Sequence, residues 1–264
     1  MTGKMRYRRF RRPMIIGACL WGVALLGSTK ADDVDFLMLP PAPPTASPEI
    51  LGGEPSDPTV WPATLRFDGA GGAPCTATLV GARVILTASH CMRAGAYGRA
   101  FIVDDWVDVR CEPVFSDVTL CLIVSPFVPP EGLRFERLGA DTPPLRVSDS
   151  LLLQGYGCVT PDGVRRGALF QGEAVVEALP GRWPIIRTRG GAAVCPGDSG
   201  GPAYRVFSAR RREIVGLNTT GDRVLTSEIS AIAHAEVRAV ISAWASTPGR
   251  AICGINETPE LCHD

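Results

Sequence analysis

The segment Cys195-Pro196-Gly197-Asp198-Ser199-Gly200-Gly201-Pro202 decides how the chain is read. Small residues crowd one serine, which implies a tight turn whose backbone N–H groups can approach a substrate. The Ser199 hydroxyl becomes a nucleophile only where a base takes its proton. Three histidines are available, His90, His234 and His263. His90, within Leu86-Thr87-Ala88-Ser89-His90-Cys91, is the candidate base. A carboxylate must orient its ring, and Asp117, at the head of the apolar run 118–124, is the candidate. Asp104, Asp105 and Asp108 compete with it, but they lie in a strand-like segment whose alternation turns some of them to solvent.

The chain order His90, Asp117, Ser199, together with the residues flanking all three, resembles the trypsin/chymotrypsin-like serine endopeptidases, over about residues 50–245. The interval from His90 to Asp117 is short for the animal enzymes and acceptable for compact bacterial ones. The resemblance implies a serine-type endopeptidase working through an acyl-enzyme, with the amides of Gly197 and Ser199 as oxyanion donors. It implies a protein or peptide substrate, a monomer, and neither cofactor nor metal. Two other readings stay open: a catalytically silent, protease-like binding protein, and an esterase. The family's specificity position, six residues before the nucleophile, is Ala193 here, followed by Val194. With no acid there, an apolar or small pocket is expected, with no Lys/Arg preference. Ile214-Val215-Gly216-Leu217-Asn218 resembles the strand that pairs with substrate, so Gly216 and Asn218 are expected at the pocket, Asn218 at its mouth or facing solvent. His234 follows the expected back wall and is either structural or a receptor for an acidic side chain.

Ile50-Leu51-Gly52-Gly53 resembles the activation terminus of the family, where a freed Ile ammonium inserts and pairs with the aspartate before the nucleophile, here Asp198. That implies a zymogen and an activating protease. Glu49 stands where the family usually has Arg or Lys, so a trypsin-like activator would not cut here. Nine cysteines are present, and eight follow residue 31. An even number in an exported chain argues for disulfides. By resemblance Cys75 pairs with Cys91. Cys111 and Cys121 flank Asp117 and are expected to pair. The family's usual partner for Cys195 is missing from the loop after Asn218, and Cys158 is the substitute, which leaves Cys253 with Cys262.

The first 31 residues read as an export signal: a basic start, the apolar run 14–26, and Gly27-Ser28-Thr29-Lys30-Ala31. The run is shorter than the roughly 20 apolar residues of a membrane-spanning helix. Secretion or a periplasmic location follows, with no stable membrane insertion once the signal is removed. Lys+Arg and Asp+Glu are balanced at 27 each, and loss of the basic start leaves a mildly acidic chain, which argues against nucleic acid as a partner. Residues 32–49, with Leu39-Pro40-Pro41-Ala42-Pro43-Pro44, form an extended propeptide or linker. The peptidase domain is expected over 50–250, with a disulfide-bridged tail over 251–264.

From Thr59 onward short apolar runs alternate with Gly and Pro, the pattern of an all-β protein. Strands are expected at 64–67, 77–80, 84–87, 101–109, 118–124, 151–155, 172–178, 185–188, 202–207, 214–218 and 227–232. Val237, Val240, Ile241 and Trp244 fall at helical spacing near the end. The resemblance implies two six-stranded antiparallel barrels packed together, chymotrypsin-like, with a boundary near 129–139 and a C-terminal helix.

Overall fold

The structure is a computed structural model. It describes residues 50–263 apart from 73, 141–142, 159–166, 209–210 and 258. The export signal, the Pro-rich segment and Glu49 lie outside the described residues.

Six strands close a first barrel: β2 (Thr64–Asp68), β3 (Pro74–Gly81), β4 (Val84–Ala88), β5 (Tyr97–Ile102), β6 (Asp105–Phe115) and β7 (Val118–Ile123), in the order β2-β3-β4-β7-β6-β5. The second barrel uses β8 (Ser150–Gly155), β9 (Phe170–Ala178), β10 (Ile185–Gly191), β11 (Pro202–Ser208), β12 (Arg211–Gly221) and β13 (Thr226–Ala231). Its order is β9-β10-β13-β12-β11-β8, closed by the β8–β9 pairing, and the short β1 (Glu54–Pro55) adds to β9. All pairings between these strands are antiparallel. One α-helix, α1 (Ala235–Ala245), follows.

Alternation along the strands fills each barrel. Leu65, Phe67, Leu79, Ile85, Val107 and Val109 build the first interior. Leu151, Leu153, Val176, Ile186, Val215 and Ile229 build the second. β4 and β7 are apolar on both faces because their outward residues are also covered. Leu86, Val118 and Leu120 join Tyr204 and Leu217 of the second barrel and Val237, Ile241 and Trp244 of α1. The apolar run at 118–124 therefore marks the seam between barrels.

The strand expected at 101–109 is corrected to a hairpin. β5 ends at Ile102, paired with Asp105, and Val103–Asp104 form the turn. Val103 takes φ +58°, a left-handed conformation unusual for a β-branched residue, so the sequence carries no turn signal there.

The tail is tied to the seam by a buried ion pair. Glu136, fully buried, accepts from Arg212 Nη2 at 2.6 Å and from its Nε at 3.0 Å. The guanidinium lies 3.8 Å from the Trp61 ring centroid, and its Nη2 is 3.1 Å from His263 Nε2. Burial alone would lower the pKa of Arg212, but its bonds to Glu136 and that residue's charge reverse the direction and raise it. The tail pairs alongside, with Phe135 N donating to Leu261 O and His263 N to Phe135 O. Glu136→Gln leaves a buried cation without its counter-charge, and a stability loss of about 3–5 kcal/mol is expected in denaturant unfolding. The double variant with Arg212→Met recovers much of it.

Candidate active site

Asp117 and Ser116 form the two-residue turn between Phe115 and Val118. His90 lies in the single 3₁₀ turn Ser89–Met92 that follows β4. The two segments meet through Ser89 N, which donates to Asp117 O at 3.0 Å. Both carboxylate oxygens of Asp117 then serve His90. Oδ1 accepts from the His90 amide at 2.9 Å, and Oδ2 lies 2.8 Å from Nδ1. An ionised carboxylate only accepts, so Nδ1 carries the proton and Nε2 keeps its lone pair. The competing Asp104, Asp105 and Asp108 are exposed on the hairpin of β5 and β6.

Ser199, partly exposed, is brought up to the histidine segment by its backbone. Its carbonyl accepts from Thr76 N at 2.9 Å and lies 3.8 Å from Cys91 Sγ, one residue after His90. Gly200 has φ +80°. A Cβ on it would overlap Thr87 Oγ1 and the Thr76 carbonyl. Only glycine lets the turn come this close.

The carbonyls of the turn all face away from the cleft. Pro196 O accepts from Cys158 N at 3.0 Å, Asp198 O from Gly201 N at 2.8 Å, and Gly197 O from Thr76 Oγ1 at 2.8 Å. In a trans peptide the N–H points opposite to the preceding carbonyl. Among the described residues, the amides of Gly197 and Ser199 donate to no protein acceptor. Two such amides suit a developing oxyanion.

Asp198 is 1% exposed. Its carboxylate accepts from Gly157 N at 2.8 Å and Cys195 N at 3.0 Å. Two backbone amides, which local sequence does not signal, thus serve this buried charge. Ile50 is buried in the second barrel core, and Leu51 exchanges backbone hydrogen bonds with Ala193 at 3.1 and 3.0 Å. Disulfides join Cys75–Cys91, Cys111–Cys121, Cys158–Cys195 and Cys253–Cys262.

The expected pocket residues fall in two groups. Ala193 and Val194 are buried beside the turn. Gly216 and Asn218 are not at a pocket mouth, and that reading is corrected. Gly216 pairs with Ala203 and Ala231, deep in the sheet. Asn218, fully buried, donates through Nδ2 to Gln154 O at 2.9 Å, and its backbone carbonyl accepts from Gly200 N at 2.8 Å. It braces the turn that carries Ser199. The residues beside Val194 lie further along. Ser227 Oγ accepts from Val194 N at 2.9 Å, and a Cβ on Gly221 would stand 3.0 Å from Val194 O. Ser227 pairs with Gly221 on one side and Thr188 on the other. The β12–β13 pairing also carries a bulge between Asn218 and Thr220, which local sequence does not signal. Asp222 closes the next loop, accepting from the amides of Val224, Leu225 and Thr226. Burial pushes its carboxyl up, but the hydrogen bonds from Thr226, Leu225 and Val224 outweigh this and hold it below the usual range. His234 lies beyond the far end of β13, before α1, and borders a cavity of about 380 Å³ with Leu145, Ile186 and Val215. It is not beside Ala193, and the acidic-receptor reading falls.

Two closed antiparallel barrels, with a serine turn set against a His–Asp pair, define a serine protease of the chymotrypsin-like fold. The Trypsin family model matches residues 50–241, and the chain belongs to that family. A comparison with curated proteins finds no match. No helix among the described residues is long and apolar enough to cross a membrane.

Proposed function

We propose that this chain is a secreted serine endopeptidase in which Ser199 is the nucleophile, His90 the general base and Asp117 its orienting carboxylate. The observation that carries this reading is the contact of both Asp117 oxygens with one histidine, which leaves Nε2 as the proton acceptor. Ser199 Oγ attacks the scissile carbonyl as Nε2 takes its proton, and the amides of Gly197 and Ser199 bind the oxyanion. The imidazolium returns the proton to the leaving amine. Water, deprotonated in the same way, then releases the acyl group.

The primary pocket is small and uncharged, lined by Ala193, Val194, Gly221, Ser227 and Thr188. Ile50 serves as the mature terminus, pairing with Asp198 beside the two amides. Ile50 has φ +25°, unfavourable for a β-branched residue in a continuous chain, and hydrolysis before it removes that restraint. Four disulfides suit an oxidising compartment.

The test compares the full chain with one beginning at a free Ile50, using a fluorophosphonate probe and a peptide library. Labelling and hydrolysis confined to the free-Ile50 form, with cleavage after small uncharged residues, are expected. Equal activity of both forms excludes the zymogen reading. A Lys/Arg preference excludes the pocket. Labelling without peptide hydrolysis favours an esterase, and neither favours a silent binding protein.

A further inference from the structure

We infer that Thr76 is a positioning residue for the oxyanion site, latching the nucleophile turn of one barrel to a strand of the other. This rests on the protease reading above. Thr76 lies on β3 of the first barrel and is fully buried. Each of its polar groups is engaged. Its Oγ1 donates to Gly197 O at 2.8 Å and accepts from Tyr156 N at 2.9 Å. Its amide donates to Ser199 O at 2.9 Å, and its carbonyl accepts from Thr87 Oγ1 at 2.9 Å.

The hydroxyl is the part with a specific role. Any residue supplies the amide to Ser199 and the carbonyl to Thr87. Only a hydroxyl at this position donates to Gly197 O while accepting from Tyr156 N. The first bond fixes the peptide that links Gly197 to Asp198. Gly197 has φ +105°, and glycine resists rotation less than any other residue. Without that bond the 197–198 peptide keeps only the donation from Asp198 N to Cys195 O at 3.0 Å, and the 196–197 peptide only the one from Cys158 N to Pro196 O at 3.0 Å, so the Gly197 amide is held less firmly in the direction in which an oxyanion forms. The second bond holds the segment after β8. That segment also anchors Pro196 O through Cys158 N, and it carries the Cys158–Cys195 disulfide. One hydroxyl therefore joins β3, that segment and the nucleophile turn, on the side away from substrate.

Thr76 touches neither substrate nor the reacting atoms in this arrangement. Its loss acts on the tetrahedral state more than on substrate binding. Misplacing one oxyanion donor costs less than removing it, so about a 10- to 100-fold drop in kcat is expected.

The experiment uses the full chain, activated as for the wild type, with Thr76→Val, Thr76→Ala and Thr76→Ser. Thr76→Val keeps the shape and removes the hydroxyl, and Thr76→Ala carries the same comparison if the valine variant fails to fold. The expected result is a fall in kcat with KM within about twofold, and a parallel loss of affinity for a peptide aldehyde, which forms an oxyanion. Binding of the matching peptide alcohol, which forms none, stays unchanged, and Thr76→Ser restores kcat. Wild-type kcat in the variants lacking the hydroxyl overturns the inference. So does a loss carried by KM, or shared equally by Thr76→Ser. A wild-type chain that neither labels with fluorophosphonate nor cleaves peptides overturns instead the protease reading itself.

Discussion

Ser199→Ala abolishes fluorophosphonate labelling and lowers kcat by about 10⁶-fold, with the fold intact. The partly exposed Ser199 makes its described protein contacts through its carbonyl, to Thr76 N and beside Cys91 Sγ. Loss of the hydroxyl therefore leaves that framework in place. Thermal unfolding and disulfide content match the wild type. The residual rate comes from the two amides and from substrate binding, which survive the change. Labelling that persists in the variant assigns the nucleophile elsewhere and removes the functional reading of the glycine-rich turn.

Asp117→Asn is the second large effect, a fall in kcat of about 10⁴-fold with little change in KM. The geometry dictates the direction. The His90 amide is always a donor, so an asparagine must present its oxygen there, as Oδ1 does now at 2.9 Å. Its NH₂ group then faces Nδ1, where Oδ2 accepts at 2.8 Å today. Two donors cannot share that contact, so the ring shifts its proton to Nε2 and can no longer accept one from Ser199. Ring-nitrogen NMR shifts report the tautomer directly. A fall of less than about tenfold excludes Asp117 as the orienting group. Asp104, Asp105 and Asp108, exposed on their hairpin, offer no replacement.

What was legible in the sequence was local. Cys195 to Pro202 marks a turn with a candidate nucleophile because glycine admits, and proline fixes, backbone angles that suit a turn wherever they stand. The strands read well where alternation is strict, as at 64–67, or where a short apolar run is bounded by turns, as at 84–87, and the apolar helix face reads through Val237, Ile241 and Trp244. Reading failed where a residue acts against its type. Val103 turns a hairpin with no glycine, so two strands merge into one. Gly221 and Ser227 stand beside Val194, further along the strand pair than Gly216 and Asn218, and Asn218 is buried under the turn, because cross-strand register decides the neighbours.

The sequence by itself determined the all-β class and the identities of the candidate nucleophile, base and orienting acid, and it excluded a carboxylate at Ala193 and Val194. The class follows from local patterning, and the candidate residues from the short motifs around each of them and the family these resemble. Only the tertiary structure decided which residues stand next to that chemistry. Asp198 is held by Gly157 and Cys195, and the turn at Gly197 is tied to Thr76, far away in the chain. Such contacts depend on strand register and on how two barrels meet, and hydrogen bonds across that seam have no counterpart in local spacing.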